Sequence, residues 1–362
     1  MDLLDHVRSV GAAAGLAGVG VCRADPFLDT RADLEARVAA GLHGGLRFTY
    51  ADPETATDVR ASFPWAERLV VAAYGYVPGA GNPGPGAPGT GRVARFAETD
   101  HYRGLRSGLA AVAATLLAAG HRAEVLVDDN RLVDRAAAVR AGIGWWGRST
   151  MVLAPGPGPW LLLGSVVTDA ELPIDEPMRR DCGTCVACLP ACPTGALTDG
   201  VLDAAICLAH RLQAAGMIPP ELREAVGDRV YGCDDCLEAC PPGRRALGSD
   251  PAVRGRVDLI DLLAASDARL LREHAHWYIP RRHPRHLRRN ALVALGTTGG
   301  RRADLVAAGY LGHPDWLLRA HAAWALGRLG GPVAGAALRA ATAAESDTRV
   351  AAEVAAALGS LA

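Results

Sequence analysis

Apolar and polar positions over the first 168 residues switch between a helical and a strand period. Residues 3–16 repeat their apolar side chains at helical spacing, and 19–22 form a short apolar run the length of a buried strand. Residues 69–74 and 124–127 read as two more strands, and 105–119 as an Ala/Leu helix. A hairpin is expected from 150–153 and 160–167 around the turn Pro155-Gly-Pro-Gly-Pro159. This mixture predicts an N-terminal α/β domain over residues 1–168. Within it, 79–91 is almost pure Gly, Pro and Ala, the composition of a mobile loop with room for a lid.

From about residue 253 the pattern changes to Ala/Leu/Arg helices with a recurring signature. Arg288-Arg-Asn-Ala-Leu-Val-Ala-Leu-Gly296 returns as Arg319-Ala-His-Ala-Ala-Trp-Ala-Leu-Gly327, and more weakly from Arg349 to Gly359. A period of about 31 residues in helix-forming sequence predicts stacked helical hairpins of the HEAT type, an all-α domain over 251–362.

Composition narrows the function classes. The chain has 362 residues, is 50% hydrophobic and carries a net charge of −1, so electrostatics alone neither demand nor exclude nucleic acid. It contains no lysine, which removes Schiff-base, P-loop and lysine-amine chemistry. No run approaches the ~18 apolar residues of a membrane span, and the acidic start is a poor signal peptide. The expected compartment is the cytoplasm. Eight of the nine cysteines fall between Cys182 and Cys240, a clustering that argues for metal in a reducing compartment rather than disulfides.

Those cysteines carry the strongest chemical signal. Cys182, Cys185, Cys188 and Cys192, followed by Pro193, have the C-x2-C-x2-C-x3-C-P spacing of bacterial two-cluster ferredoxins, in which the fourth thiolate serves the other cluster. Cys233, Cys236 and Cys240, with Pro241 behind, supply the second motif. Zinc also uses C-x2-C pairs, but three cysteines in seven residues and a Cys-Pro in both halves favour clusters. A ferredoxin-like domain with two 4Fe–4S clusters is therefore expected over 169–250, with a helical segment near 202–215 between its motifs. Counting assigns Cys182, Cys185, Cys188 and Cys240 to one cluster. Cys192, Cys233 and Cys236 leave the other one ligand short. Cys207 lies on the segment between the motifs and is the expected eighth ligand. Cys22 sits in a strand of another domain and reads as a small buried hydrophobe.

Two glycine patterns imitate a dinucleotide fingerprint. Gly84-x-Gly86-x-x-Gly89 is interrupted by prolines, and Gly142-x-Gly144-x-x-Gly147 follows a helix and leads into a strand, the reverse of the βα turn. Neither supports NAD or FAD. Asp128 follows the strand 124–127 and is expected at a strand end, where a carboxyl raised in pKa by burial can act as a general acid. Asp129 and Asn130 beside it also suit a turn, and a cap or Asx turn is the bland role for Asp128. The segment 272–302 holds Arg281, Arg282, Arg285, Arg288, Arg289, Arg301 and Arg302 with Trp277 and Tyr278 beside it, and Glu273 is its single acid. Arginine with aromatics suits phosphate contact and stacking on unpaired bases, although such a run also suits a solvated helix face.

Together the segment VDDNRLVDRAAAVRAGIGWWGR from Val127, the cluster run ending ACPTGAL, YGCDDCLEACP from Tyr231 and RRNALVALG from Arg288 resemble the epoxyqueuosine reductase family over nearly the whole chain. The resemblance implies a cobalamin-dependent iron–sulfur enzyme that removes the epoxide oxygen of epoxyqueuosine at the wobble base of tRNA. It implies Asp128 as proton donor and a cobalamin pocket including Asp128, Val152, Leu163, Cys233 and Asp234. It also implies Cys207 as a cluster ligand. The expected partners are the tRNA anticodon stem-loop and an external low-potential electron donor, with the protein a monomer that needs no membrane. The chain departs from the family pattern at 55–59, Thr-Ala-Thr-Asp-Val, and at Asp100-His101-Tyr102, where the family order is Asp-Tyr-His. Two other readings compete: a cobalamin/iron–sulfur reductase of a small molecule, and a non-catalytic electron carrier or adaptor.

Overall fold

The computed structural model describes residues 2–76, 86–247 and 255–361. The part of the expected loop at 79–85 lies outside these residues, as does the start of the first glycine pattern. Residues 88–89 form a turn that enters the strand Thr90–Val93, so the end of that expected loop is regular structure. The described chain falls into two compact units, 2–76 with 99–205 and 235–247, and 86–98 with 206–234 and 255–361.

The first unit is built on a four-stranded sheet in the spatial order Gly18–Arg23, Arg68–Gly75, Leu161–Thr168, Ala123–Leu126, antiparallel throughout. Arg68–Gly75 is central, and its unbroken apolar run from Leu69 to Ala73 is buried on both faces. Leu69, Val71 and Ala73 join a core with Ala137 and Ala138 of the helix Asp134–Arg140. Leu3–Ala13 and His101–Ala118 pack together on the sheet's other side. Close approach fixes one glycine: a Cβ on Gly20 would stand 2.1 Å from the Ala141 carbonyl oxygen. The expected strands and helices of this region lie within a few residues of those observed.

The expected hairpin does not form as a ladder. Val152–Leu153 pairs with Trp145–Trp146, while Leu161–Thr168 pairs with its neighbours in the large sheet. Only an isolated bridge, Ala154 to Gly158, closes the proline-rich turn. Periodicity sees apolar runs and not their partners, so the nearer apolar strand 145–146 took the pairing. The helix expected at 202–215 is also shorter, Leu208–Gln213, because Val201–Leu202 is spent on a small hairpin with Leu197–Thr198.

In the second unit Thr90–Val93 is flanked by Arg229–Tyr231, parallel, and Arg256–Asp258, antiparallel. The rest is helical. Arg285–Thr298, Trp316–Leu329 and Thr348–Leu361 carry the three copies of the repeat, each separated from the next by another helix, Ala303–Tyr310 and Gly331–Ala344. The glycine closing the signature marks where these helices touch. A Cβ on Gly296 would lie 2.8 Å from the Ala325 Cα, and one on Gly327 3.0 Å from the Ala357 Cα. Gly359, at the end of the last copy, faces nothing. No helix among the described residues is long and apolar enough to cross a membrane.

Candidate functional site

Four thiols meet in the first unit. Cys182, Cys185, Cys188 and Cys240 line one small cavity with Gly147, Arg148, Leu153 and Pro241. Tight turns bring the first three round: Cys185 N–H donates to the Cys182 carbonyl at 3.0 Å, and Leu189 N–H to Val186 at 3.0 Å. Cys240 arrives from the short helix Asp235–Glu238, and Pro241 opens the next helix, Pro241–Leu247, at once. The Arg148 N–H points at Cys182 Sγ, 3.4 Å away. Burial pushes the Cys188 and Cys240 thiols up, and the neighbouring thiols of the set push in the same direction. Among the described residues no three His, Cys, Asp or Glu side chains close on a single-ion site.

The remaining cysteines divide between the units. Cys192, its Sγ 3.8 Å from the Thr194 hydroxyl, and Cys236 belong to the first. Cys207 and Cys233 belong to the second, where Cys207 is the N-cap residue of Leu208–Gln213 and Cys233 packs beside Leu208, Leu212 and Ile218. Asp234 is buried next to it, its carboxylate accepting the Arg95 N–H at 2.7 Å. Cys22 is buried in its strand, and burial pushes its thiol up to about 12, the mark of an inert core residue.

Asp128 stands just past the strand Ala123–Leu126 with φ at 53°, a left-handed conformation that is unusual for a non-glycine residue. The turn itself is held by its neighbour. Asp129 accepts the Arg131 N–H at 2.9 Å and both arms of its guanidinium at 2.8 and 2.6 Å. Asp128, by contrast, has no hydrogen bond or ion pair among the described residues. Its own surface is exposed to solvent. Burial raises its pKa above the usual carboxylate range against the pull of Arg106, and Asp129 adds to the rise.

Sequence reasoning missed the groups around it. Asp134 opens the helix Asp134–Arg140 without a side-chain hydrogen-bond partner among the described residues, and burial, then the charge of Asp128, raises its pKa well above normal. Arg135 is solvent-exposed, and its one contact among the described residues is a long one, 3.3 Å, to the Thr150 carbonyl. Burial pushes the Tyr102 phenol up, and Asp128 and Asp134 push it further. Tyr50 is within electrostatic reach of Arg135, and its ring lies 5.9 Å from that of His43, whose buried Nδ1 has no partner among the described residues. Asp134 and Arg135 could have been found by their position inside the 127–150 segment, whereas nothing in the sequence ties Tyr102, Tyr50 or His43 to it.

The comparisons cover the same ground. Residues 181–243 match the 4Fe-4S double cluster binding domain, and 279–359 match HEAT repeats. The epoxyqueuosine reductase of Bacillus cereus is 31% identical over 367 residues, covering 96% of this chain and 95% of its own. That of Xanthomonas campestris is 32% identical, covering 91% and 97%. The chain belongs to the epoxyqueuosine reductase family. A solved structure of an epoxyqueuosine reductase with an epoxyqueuosine-modified tyrosine tRNA stem loop has a TM-score of 0.90 at 29% identity, covering 99% of this chain and 98% of that one. The epoxyqueuosine reductase of Streptococcus thermophilus has a TM-score of 0.88 at 25% identity, covering 99% of both chains.

Within this family likeness the arginine-rich segment 272–302 needs correction as a uniform basic face. Arg289 is fully buried, and its guanidinium binds the Asn290 side chain at 3.0 and 2.8 Å and the carbonyls of Ala214 and Arg211 at 2.9 and 3.1 Å. Arg288 is tied to Asp267 at 2.5 Å and to the Ala265 carbonyl at 2.7 Å. Trp277 is buried, stacked 4.3 Å from the Tyr231 ring. What remains available is Tyr278, 67% exposed, with exposed Arg281, Arg301 and Arg302. Arg281 and Arg282 both have positive φ, 52° and 53°. Arg282 is held by the carbonyls of Leu271 and Trp277 at 3.0 and 3.2 Å. Arg281 has no hydrogen bond or ion pair among the described residues.

Proposed function

We propose that this chain removes the epoxide oxygen of epoxyqueuosine in tRNA to give queuosine, the last step of queuosine synthesis, with electrons passing through two 4Fe–4S clusters to cobalamin. Full-length family membership and the stem-loop-bound relative support the substrate. The observation that carries the chemistry is Asp128, a carboxyl of raised pKa with no hydrogen bond or ion pair among the described residues, in the same compact unit as the four-thiol cavity.

The donor set fits the clusters. Cys182, Cys185, Cys188 and Cys240 would hold the first, and Cys192, Cys207, Cys233 and Cys236 the second. The residues also fit cobalamin, whose corrin is rimmed with carboxamides. The first unit leaves His43 Nδ1 without a hydrogen bond among the described residues and the Arg135 guanidinium with a single long one. Val152 and Leu163 would add apolar wall, and Cys233 and Asp234 would complete the pocket. Cobalamin, when bound, supplies a reduced cobalt centre able to engage the epoxide.

Converting the epoxide to an alkene consumes two electrons and two protons and releases water. Asp128, whose pKa burial raises, would donate to the departing oxygen. Tyr278 and Arg281 would meet an unpaired base and a phosphate of the anticodon loop. The functional division follows the chemistry: 1–168 for cobalamin and catalysis, 169–250 for the clusters and 251–362 for tRNA. Thiol-held clusters suit the reducing cytoplasm.

Asp128→Asn should keep iron and corrin, read by anaerobic absorbance, and lose ~10²–10⁴-fold in turnover. Undiminished turnover would remove Asp128 from the mechanism.

A further inference from the structure

Of the nine cysteines, Cys185 alone is exposed. It sits in the run 183–186, every residue of which is exposed, so the four-thiol cavity lies under a thin cover. The cysteines assigned to the second cluster are all only partly exposed. Two large apolar side chains break the surface nearby, Val186 at 46% and Trp146 at 45% exposure. Trp146 belongs to the ribbon that pairs with Leu153, a residue of the cavity wall.

Cations surround them. Arg179, Arg180, Arg244 and Arg245 are exposed and make no ion pair among the described residues. The Arg180 guanidinium lies 5.5 Å from the Trp145 ring centre, and Arg244 and Arg245 lie on the helix Pro241–Leu247 that follows Cys240, a thiol of the cavity wall. Of the acids in the same segments Glu176 stands exposed, and the others are engaged or only partly exposed. Asp181 accepts the Gly183 N–H at 2.8 Å, and Asp199 pairs with Arg148 at 3.1 Å. Asp235 and Glu238 are only partly exposed.

We infer that this face of the first unit is the docking site of a small acidic one-electron carrier protein, of the ferredoxin or flavodoxin kind. The inference rests on the cluster assignment proposed above. An apolar centre with a charged rim is the anatomy of a transient protein interface, and surplus positive charge steers a negatively charged partner. The position is also right for the electron path. The residues that resemble the corrin pocket include Cys233, assigned to the second cluster, which leaves the first cluster to face outside. Each docking oxidises one carrier by one electron and reduces the cluster by one, so two carriers serve one epoxide.

The test pairs two charge-reversed variants, Arg179→Glu/Arg180→Glu and Arg244→Glu/Arg245→Glu, with Val186→Glu. Each is assayed on an epoxyqueuosine stem loop with reduced flavodoxin, and separately with dithionite and reduced methyl viologen, small reductants of opposite charge. The expected result is a loss of about tenfold or more with flavodoxin and a weaker dependence of that rate on salt. Rates with both small reductants, iron content and stem-loop affinity should stay at the wild-type level. Unchanged flavodoxin kinetics in all three variants would overturn the docking site, and so would weakened stem-loop binding at constant iron, which would assign the face to tRNA. Wild-type protein that fails with every reductant would instead overturn the reading beneath it.

Discussion

Asp128 and Asp129 share a side chain and have opposite surroundings. Arg131 binds the Asp129 carboxylate and holds it below the usual carboxylate range, while burial lifts Asp128 above it. Sequence shows two adjacent acids after a strand, each able to make the turn, and cannot say which does so. The structure divides the work. A general acid must be protonated, so turnover should be flat below the raised pKa of Asp128 and fall as pH rises through it. A pH profile of kcat should show that alkaline limb in the wild type. Its survival in Asp128→Asn would give it to another group. Cysteine identity was more legible, because cluster spacing is a local property of sequence. Cys207→Ala should lose the iron of one cluster and Cys22→Ala none, since Cys22 is enclosed in the core 3.9 Å from the Ala137 carbonyl. Iron analysis and absorbance decide it, and full iron in the Cys207 variant would contradict the assignment.

At the scale of elements, periodicity located the sheet strands and the repeat helices but not their partners. The repeat signature holds because its positions have jobs: the glycines of the first two copies, Gly296 and Gly327, are points of helix contact, and its arginines are anchors. Arg319 binds Glu345 at 2.7 Å, and Arg349 binds Asp347 at 2.6 Å. A further anchor was invisible in sequence. Arg223 is wholly buried and forms a two-pronged pair with Glu353 at 2.7 and 2.6 Å, joining Pro220–Val226 to the last helix. Arginine count along a helix therefore overstates its basic surface, as Arg289 shows. The tRNA contact should be sought at Tyr278 and Arg281 instead. Arg281→Glu should weaken stem-loop binding and reduce the magnitude of the log-affinity slope with log salt by about 1, and Tyr278→Ala should weaken it with little change of slope. Titrations at several salt concentrations test both, and wild-type affinity in the two variants would return this surface to solvent.

For the whole molecule, the order of the motifs along the chain was enough to name the family, because cluster run, second motif and repeat arrive in a fixed sequence. Spatial grouping was not readable in the same way. Residues 86–98 cluster with the C-terminal unit, and the segment holding the cysteines contributes to both units. Sequence gives chain order, whereas compactness follows contacts such as the ladder between Thr90–Val93 and Arg256–Asp258. This chain takes one oxygen atom from a tRNA base. The most direct measurement of that step is mass spectrometry of nucleosides from an epoxyqueuosine-modified stem loop, after anaerobic incubation with the cobalamin- and cluster-loaded protein and a chemical reductant. The account predicts that epoxyqueuosine is replaced by the nucleoside lighter by one oxygen, and only when protein, cobalamin and reductant are all present. Epoxyqueuosine recovered intact from the fully loaded protein would contradict it.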